Sequence, residues 1–294
     1  MLLIENANYN NYSLNYTKFV FCIIGNIAFG GSPMLLSIDI GNSIIKFAVY
    51  TSPELHKAAG FHVASTPVKS ADEYRLLIRQ FLSETELDGQ IDASVIASVV
   101  PSLMTPIYHA VWEICGSKPF IIGAGTHTGF QINIDVHTQL GADIVANTAA
   151  ARQICTSPAV IVDLGTATTF TALDINGNIA GTIIHPGLKI SLDVLSRSAA
   201  LLNDVSLTRP REWIGQNTAE SMQSGIINGH ICMIDGFLQH LQEMLCDSSN
   251  TLSCIATGGH AETVIPHCRK TISIDPDLTV RGAAILYYSN RKHF

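Results

Sequence analysis

The stretch LLSIDIGNSIIKFAVY, residues 35–50, is echoed by AVIVDLGTATTFTALD, residues 159–174. Each is an apolar run broken by an acidic tip, with Asp39 aligned with Asp163 and a glycine two residues later in both. The pattern predicts a buried strand, a tight turn and a returning strand in each copy. A glycine turn lets backbone N–H groups approach a phosphate, and a strand-end carboxylate can hold a cation or its water. Two such hairpins facing one another would grip the phosphates of a nucleotide.

Three side chains on the hairpins strengthen this interpretation. Ser43 and Thr166 lie at the two tips, where their hydroxyls can donate to a phosphate. Lys46 lies on the first returning strand, where its ammonium could reach a β- or γ-phosphate, although a surface lysine is a fair alternative. One acidic glycine turn is weak evidence, because Asp and Gly populate turns for conformational reasons alone. Two copies, each after an apolar strand, favour phosphate binding.

The composition indicates the class of protein. The chain has 294 residues, of which 47% are hydrophobic and 14% charged, with a formal net charge of -7. This is enough for two domains with an ample core, and without a Lys/Arg cluster it predicts neither a nucleic-acid nor a membrane partner. Seven scattered cysteines without a CxxC pair predict a reduced, cytoplasmic protein whose cysteines lie mostly in the core.

The first 33 residues differ from the rest, because they are rich in Asn and Tyr and lead into an apolar run at residues 19–29. A signal peptide is one interpretation, but the run starts late, contains Asn26 and lacks a convincing cleavage site. A membrane span would want roughly 18 apolar residues. We expect Met34 to be the physiological start, with residues 1–33 disordered or untranslated, because the folded pattern begins there.

The remaining sequence alternates between strand and helix patterns. Helices are predicted over residues 70–87, 102–115, 143–155, 218–245 and 277–288, with Thr218 as a cap. Strands are predicted over residues 93–100, 119–122 and 252–256, with Asn176 and Gly177 as a two-residue hairpin turn. We therefore expect an N-terminal extension and two similar domains, at residues 1–33, 34–156 and 157–294.

Two glycine-bearing segments complete the predicted site. Gly258 and Gly259 follow a strand and permit close approach of a flat adenine, with an ordinary strand-to-helix turn as the plainer alternative. Asp143 follows Gly141 at a predicted helix start. It is either a helix N-cap, worth about 1 kcal/mol, or the base that accepts a hydroxyl proton during phosphoryl transfer. The sequence leaves these two roles open.

Eight segments, in their order and spacing, make the chain resemble the type III pantothenate kinase family of the actin, sugar-kinase and heat-shock ATPase superfamily. They are DIGNS at 39–43, PSL at 101–103, GAD at 141–143, DLGTATT at 163–169, HPG at 185–187, GQNTAESMQSG at 215–225, TGGHA at 257–261 and IDPDL at 274–278. The resemblance implies an α/β fold of duplicated ribonuclease H-like, actin-like ATPase domains with a nucleotide cleft between them. It implies ATP-dependent phosphorylation of the primary hydroxyl of pantothenate, the first step of coenzyme A biosynthesis. It further implies a homodimer that uses Mg²⁺ and a monovalent cation, K⁺ or NH₄⁺.

The resemblance also implies residue roles, carried over by position. The ATP contacts would be Asp39, Ile40, Gly41, Asn42, Ser43, Ile44, Ile45, Lys46, Thr166, Gly258 and Gly259. The acceptor contacts would be Gly141, Ala142, Asp143, Ile144 and Thr218, with Asp143 as the catalytic proton acceptor. Asp163 would ligate the monovalent cation, and Asp39 would hold Mg²⁺ through water.

The chain departs from the family pattern around the acceptor. Ile144 stands where an arginine is usual and Ile134 where a tyrosine is usual, and both usual residues help to hold pantothenate. Losing an arginine that pairs with the substrate carboxylate should weaken the binding of pantothenate by orders of magnitude, unless another cation takes its place. His127, where a lysine is common, is one candidate. Arg152 is another, although a helical rise of about 1.5 Å per residue puts it about 13.5 Å beyond Asp143.

Two alternative functions stay open. In the first, the kinase acts on a less anionic or more apolar alcohol, since Ile134 and Ile144 replace polar contacts with apolar ones. In the second, the chain is a non-catalytic ATP-binding regulator that keeps the phosphate clamp as a switch, against which the presence of Asp143 argues. Screening alcohols by ATP consumption tests the first alternative. ATP binding without turnover of any acceptor would favour the second.

Overall fold

The computed structural model describes residues 34–51, 55–135, 140–198 and 205–291. The predictions for residues 1–33 lie outside these ranges. Among the described residues, no helix has the length and apolar character needed to cross a membrane.

The first half of the chain builds a five-stranded mixed sheet. Its strands are β1 Met34–Ile40, β2 Ile44–Thr51, β3 His56–Ala64, β4 Ile91–Ser98 and β5 Phe120–Ile121, in the spatial order β3-β2-β1-β4-β5. β2 returns antiparallel to β1, as predicted for the first hairpin, whereas β4 runs parallel to β1. Helices α1 Ala71–Glu84 and α2 Pro101–Cys115 pack on one face of this sheet in a shared apolar cluster.

The second half repeats this arrangement. Its strands are β6 Ala159–Leu164, β7 Ala167–Leu173, β8 Ile179–Pro186, β9 Ser253–Thr257 and β10 Ser273–Ile274, in the order β8-β7-β6-β9-β10. β7 is antiparallel to β6 and β9 is parallel to it, so each strand takes the place of its counterpart in the first sheet. The outer helical layer comprises α4 Leu188–Ser198, α5 Thr218–Gln223, α6 Gly229–Leu245 and α7 Ala261–Val264. The predicted duplicated α/β fold is confirmed.

Two helices join the halves: α3 Ala142–Ile154 from the first and α8 Leu278–Arg291 from the end of the second. Both contribute to one apolar cluster that also takes side chains from β1, β4, β6 and β9. The buried Ser37 hydroxyl of β1 also donates to the backbone carbonyl of Val280 in α8, at 2.7 Å. The boundary at residues 156–158 stays a prediction, and the C-terminal helix packs against both sheets.

Local sequence signals account for the helix ends. Ser70 and Glu73 form the predicted capping box at the start of α1, which then buries Tyr74, Ile78 and Phe81 against the sheet. α2 begins with Pro101 at its first position, where a missing N–H costs nothing.

Four sequence predictions need correction in detail. β4 begins and ends two residues before the predicted strand. The turn at Gly177 belongs to a longer loop, closed by a bond from Asp174 N–H to the Asn178 carbonyl. Asn217 caps α5 in place of Thr218, because its side chain accepts the Glu220 N–H. The predicted long helix is interrupted by a π-helical turn, Ser224–Asn228, before α6.

The cysteine prediction is right in one respect and wrong in another. The six described cysteines are all free thiols, as expected. However, only Cys254 among them is buried, while Cys232 is exposed and the other four are half-buried. The positions of the cysteines in the sequence therefore do not indicate which residues form the core of this protein.

Candidate nucleotide and acceptor site

The tips of the two predicted phosphate hairpins meet across the space between the sheets. We call residues 41–43 the first tip and residues 165–166 the second tip. Ser43 Oγ and Thr166 Oγ1 hydrogen-bond one another at 2.8 Å, although they are 123 residues apart in the chain. The meeting follows from the duplicated topology, because β1 and β6 occupy equivalent central places in their sheets. The structure thus brings both predicted hydroxyl donors to one point.

The turn glycines do not offer their own N–H groups. Gly41 N–H donates to the Ile44 carbonyl at 3.1 Å, and Gly165 N–H donates to the Ala167 carbonyl at 3.0 Å. These bonds close the turns, so in this conformation the N–H groups of the two glycines are already taken. The donors left for a ligand come from the following residues, including the exposed Asn42. Ile40 and Ile45, by contrast, have fully buried side chains and can offer only backbone.

Three carboxylates lie near one another at the ends of the elements that carry the tips. Asp39 lies near the end of β1, Asp163 near the end of β6 and Asp143 in the first turn of α3. The pKa of Asp39 is raised from 3.8 to about 7, chiefly by burial; Lys46 lowers it in part, and the nearby Asp143 and Asp163 contribute to raising it. Burial likewise raises the pKa of Asp163 to about 6 and that of Asp143 above its usual value. A cluster that resists negative charge in this way is suited to binding cations.

The carboxylates do not by themselves form a closed metal cage. Among the described residues, no three or more His, Cys, Asp or Glu side chains form a group that could hold a metal ion. Mg²⁺ commonly keeps several waters and takes one or two carboxylates plus substrate phosphates. Asp39 and Asp163 fit this kind of shared site.

Asp143 is not the cap of its helix. Gly141 occupies the N-cap position of α3, and Asp143 is the second helical residue, with its Oδ1 accepting the N–H of Ile144 at 2.8 Å. The N-cap alternative is therefore wrong, and the carboxylate lies close enough to Asp39 and Asp163 to raise the pKa of both.

Asn147 was missed by the sequence reasoning. It lies one helical turn after Asp143 and is almost fully buried, and its Nδ2 donates to Asp163 Oδ2 at 3.1 Å. It thus ties the helix of the first half to the carboxylate of the second. The spacing of four residues from Asp143 was the signal that could have found it.

Lys46 faces the cleft but is held by another partner. It lies opposite Asp39 in the β1–β2 register, and its Nζ donates to the Pro276 carbonyl at 2.7 Å. Its charge lowers the pKa of both Asp39 and Asp163. A phosphate contact would require the ammonium to leave this carbonyl.

Gly258 packs directly behind the second tip. Its φ of +94° lies in the left-handed region, and a Cβ there would meet the backbone of Leu164 and, at 2.6 Å, Asp163 Oδ1. Only glycine satisfies both requirements. Gly259, which follows, has open space around it, as expected of a surface that a flat ring could approach.

The acceptor residues are less closely assembled. Gly141, Ala142 and Asp143 share the start of α3 beside the cleft, and Ile144 packs against the apolar cluster between the sheets. Thr218 is exposed at the start of α5, and none of the hydrogen bonds that join the tips includes it.

Both candidate substitute cations make contacts with other residues. The Arg152 guanidinium donates to the carbonyls of Asn176 and Gly177 and stacks over the Phe130 ring, 5.5 Å from its centroid. Arg152 is therefore committed to the β7–β8 turn. The backbone of His127 is clasped by Asn290 of α8, through two bonds of 2.9 Å.

Comparisons with known proteins identify the family of this chain. A family model described as type III pantothenate kinase matches residues 35–240. A type III pantothenate kinase of Moorella thermoacetica is 37% identical over 258 residues, which is 87% of this chain and 100% of the relative. Another, from Exiguobacterium sibiricum, is 33% identical over 259 residues, covering 88% of this chain and 100% of the relative.

Solved structures support the fold. An ethanolamine utilization protein, EutJ, from Carboxydothermus hydrogenoformans superimposes with a TM-score of 0.54 at 16% identity, covering 90% of this chain and 92% of the other. A Baf family transcriptional activator from Campylobacter jejuni gives a TM-score of 0.53 at 18% identity, covering 88% and 99%. At such low identity these matches show only that the duplicated fold is shared.

Proposed function

The chain belongs to the type III pantothenate kinase family, and we propose that it transfers the γ-phosphoryl group of ATP to the primary hydroxyl of pantothenate. The observation that carries the proposal is the meeting of Ser43 and Thr166 at the ends of hairpins whose half-buried carboxylates interact with that of Asp143. Phosphoryl transfer needs positioning and charge stabilisation more than covalent chemistry, and opposed donors with cation-binding carboxylates supply both.

In this proposal Asp143 is the catalytic base. Its raised pKa, caused chiefly by burial, makes it a better proton acceptor than an exposed carboxylate, and its Oδ2 is left available while Oδ1 accepts a backbone N–H. The tips bind the β- and γ-phosphates through Asn42, Ser43 and Thr166, with Lys46 moving from Pro276 to the phosphates. Gly258 and Gly259 provide the surface for the adenine.

In this proposal two of the carboxylates bind the cations. A kinase of this family uses ATP with a divalent metal, and Asp39 would hold Mg²⁺ through water beside the phosphates. Asp163 would ligate a monovalent cation, with its second oxygen oriented by Asn147. The Asn147 Oδ1 atom is buried without a hydrogen-bond partner, which fits an oxygen turned toward a cation. Replacing Asp163 with Asn should abolish stimulation by K⁺ or NH₄⁺; unchanged stimulation would remove Asp163 from this role.

We also propose that the enzyme works as a cytoplasmic homodimer. Several large apolar side chains are exposed on or near β8, α4 and the segment before α5: Ile184, Val194, Leu195, Trp213 and Ile214. Exposed apolar surface of this extent is typical of an interface. Sedimentation of the purified chain tests the dimer, and a monomer at micromolar concentration would contradict it.

The direct test of function measures transfer from labelled ATP to pantothenate. Wild type should phosphorylate pantothenate, and Asp143→Asn should lower kcat about a hundredfold or more. Asp88→Asn, at an exposed carboxylate in the turn after α1, is the matched control and should behave as wild type. Equal activity in Asp143→Asn and wild type would remove Asp143 from catalysis.

The apolar surroundings of Ile144 favour a second candidate acceptor, a less anionic alcohol. Because Ile144 packs into an apolar cluster, a less anionic alcohol would suit this wall better than a carboxylate. Comparing pantothenate with its neutral amide analogues in the same assay decides between them. A lower KM for the amides would favour this alternative, and a lower KM for pantothenate would exclude it.

A further inference from the structure

The second tip is held from behind by two backbone donors. Gly187 N–H donates to the Thr166 carbonyl at 3.2 Å, and His260 N–H donates to the Leu164 carbonyl at 3.1 Å. Gly187 lies so close that a Cβ at this position would overlap the carbonyl oxygens of Gly165 and Thr166. The placement of Thr166 therefore depends on where the chain at residues 186–187 sits.

Two histidines converge on the carbonyl that precedes Gly187. His230 Nε2 lies 3.2 Å from Pro186 O, and His185 Nδ1 lies 2.8 Å from the same oxygen. The two rings stand perpendicular, with their centroids 5.3 Å apart. A carbonyl oxygen has two lone pairs and only accepts, so each ring nitrogen must donate to it. Pro186 is thereby fixed from two directions.

His230 is placed for this contact by its own helix. It is the second residue of α6, only 4% exposed, and its other ring nitrogen lies 2.9 Å from the carbonyl of Ile226, four residues earlier. A neutral imidazole can donate to only one of these two carbonyls at a time, so the ring is placed by its burial and by the one bond it makes.

We propose that His230 is a positioning residue for the second tip: it holds the Pro186 carbonyl so that Gly187 keeps Thr166 in place to bind the phosphates of ATP. The inference rests on the proposed ATP-dependent kinase. His230 does not touch the nucleotide and acts through residues 186 and 187. At the first tip, by contrast, Ser65 contacts the tip backbone directly.

Burial favours the neutral form of His230. Burial lowers the pKa of His230, the contacts to the Ile226 and Pro186 carbonyls raise it in part, and the facing His185 ring lowers it. Burial also lowers the pKa of the nearby His260, with smaller contributions from His230 and Lys189. A neutral imidazole has one N–H, which the Pro186 contact takes when the proton is on Nε2. The donor at the Nε2 position is therefore the property to test.

Two substitutions separate the two ring nitrogens. The amide nitrogen of glutamine can reach the place of Nε2, whereas that of asparagine reaches only the place of Nδ1. His230→Asn should weaken binding of Mg·ATP about fivefold, and His230→Gln should stay within about twofold of wild type. The KM for pantothenate should not change in either. His240→Asn, at an exposed site on the same helix, should bind as wild type.

The measurement is calorimetric titration of each purified variant with Mg·ATP, without acceptor, alongside its melting temperature. Equal affinity in His230→Asn and His230→Gln, or a change in melting temperature alone, would overturn the inference. If His230→Asn does not fold, His185→Ala serves instead, because it removes the other donor to the Pro186 carbonyl at a half-buried site. This variant should bind Mg·ATP about twofold more weakly than wild type. Unchanged affinity for Mg·ATP would also overturn the inference. Failure of wild type to bind Mg·ATP would instead contradict the proposed function.

Discussion

The two tips have the same hairpin behind them and different supports around them. At the first tip, Ser65 donates through its hydroxyl at 2.6 Å and through its backbone N–H at 3.0 Å to carbonyls of residues 41 and 43. At the second, Gly187 and His260 donate from two separate segments, with His230 and His185 behind them. The two halves therefore share the hairpin and the sheet. They differ in the residues that hydrogen-bond to the hairpin and support it.

The difference bears on how each tip responds to change. The first tip is held by Ser65, a single neutral residue that directly follows β3. The second depends on segments far apart in the chain and on two imidazoles. We expect the second tip to be the more sensitive to substitution and the first to be the more tolerant.

The strand-end aspartates give the largest predicted effects. Asp39→Asn and Asp163→Asn should each lower kcat/KM about a hundredfold or more, because the amide cannot balance the cations that accompany ATP. The same changes should stabilise the nucleotide-free protein at neutral pH. Folding buries both carboxylates, and an asparagine removes the charge that burial disfavours.

The sign of the pH dependence follows from the raised pKa values. The folded protein holds the Asp39 proton up to about pH 7, so this contribution to stability is full below the usual 3.8 and is lost as the pH rises through 7. Asp39→Asn should melt about 4 °C above wild type at pH 8 and gain less at pH 5. Asp163→Asn should gain less, because its pKa is raised only to about 6. A difference in melting temperature that is independent of pH would contradict this.

Alanine at Gly187 and alanine at Gly41 should affect ATP binding to different extents. A Cβ at Gly187 would overlap the second tip's backbone, whereas a Cβ at Gly41 would meet only the Ile44 carbonyl at 3.0 Å. Gly187→Ala should therefore raise the KM for ATP about thirtyfold, and Gly41→Ala about threefold, since displaced donors lose charge-assisted hydrogen bonds. Steady-state kinetics on the folded variants measures both. Equal effects would mean that the two tips are equally constrained.

The sequence predicted the hairpins well and their supports poorly. Apolar runs and acidic glycine tips are local patterns, so β1, β2, β6 and β7 were found, together with the capped start of α1. The roles of Asn147, Ser65 and His230 arise from contacts between segments that the chain pattern does not join. The π-helical turn before α6 also escaped, because its residues carry an ordinary helical pattern.

The smallest predicted effect is at Ser65. Ser65→Ala removes the hydroxyl that donates to the Gly41 carbonyl but keeps the backbone bond to Ser43. The KM for ATP should rise about two- to threefold, the cost of one neutral hydrogen bond. Because a serine hydroxyl does not titrate, the ratio to wild type should be the same at pH 6 and pH 8. A ratio that changes with pH would show that a titrating group contributes to holding the first tip.

The central claim is that both tips act on the same phosphates, and a double-mutant cycle on Ser43 and Thr166 tests it most directly. kcat/KM for ATP is measured for wild type, Ser43→Ala, Thr166→Val and the double variant. Because the two hydroxyls contact one another at 2.8 Å and would donate to one group, their effects should be coupled by about 1 kcal/mol, roughly a fivefold departure from the product of the single losses. Strictly multiplicative losses would contradict the claim and mean that the tips act independently.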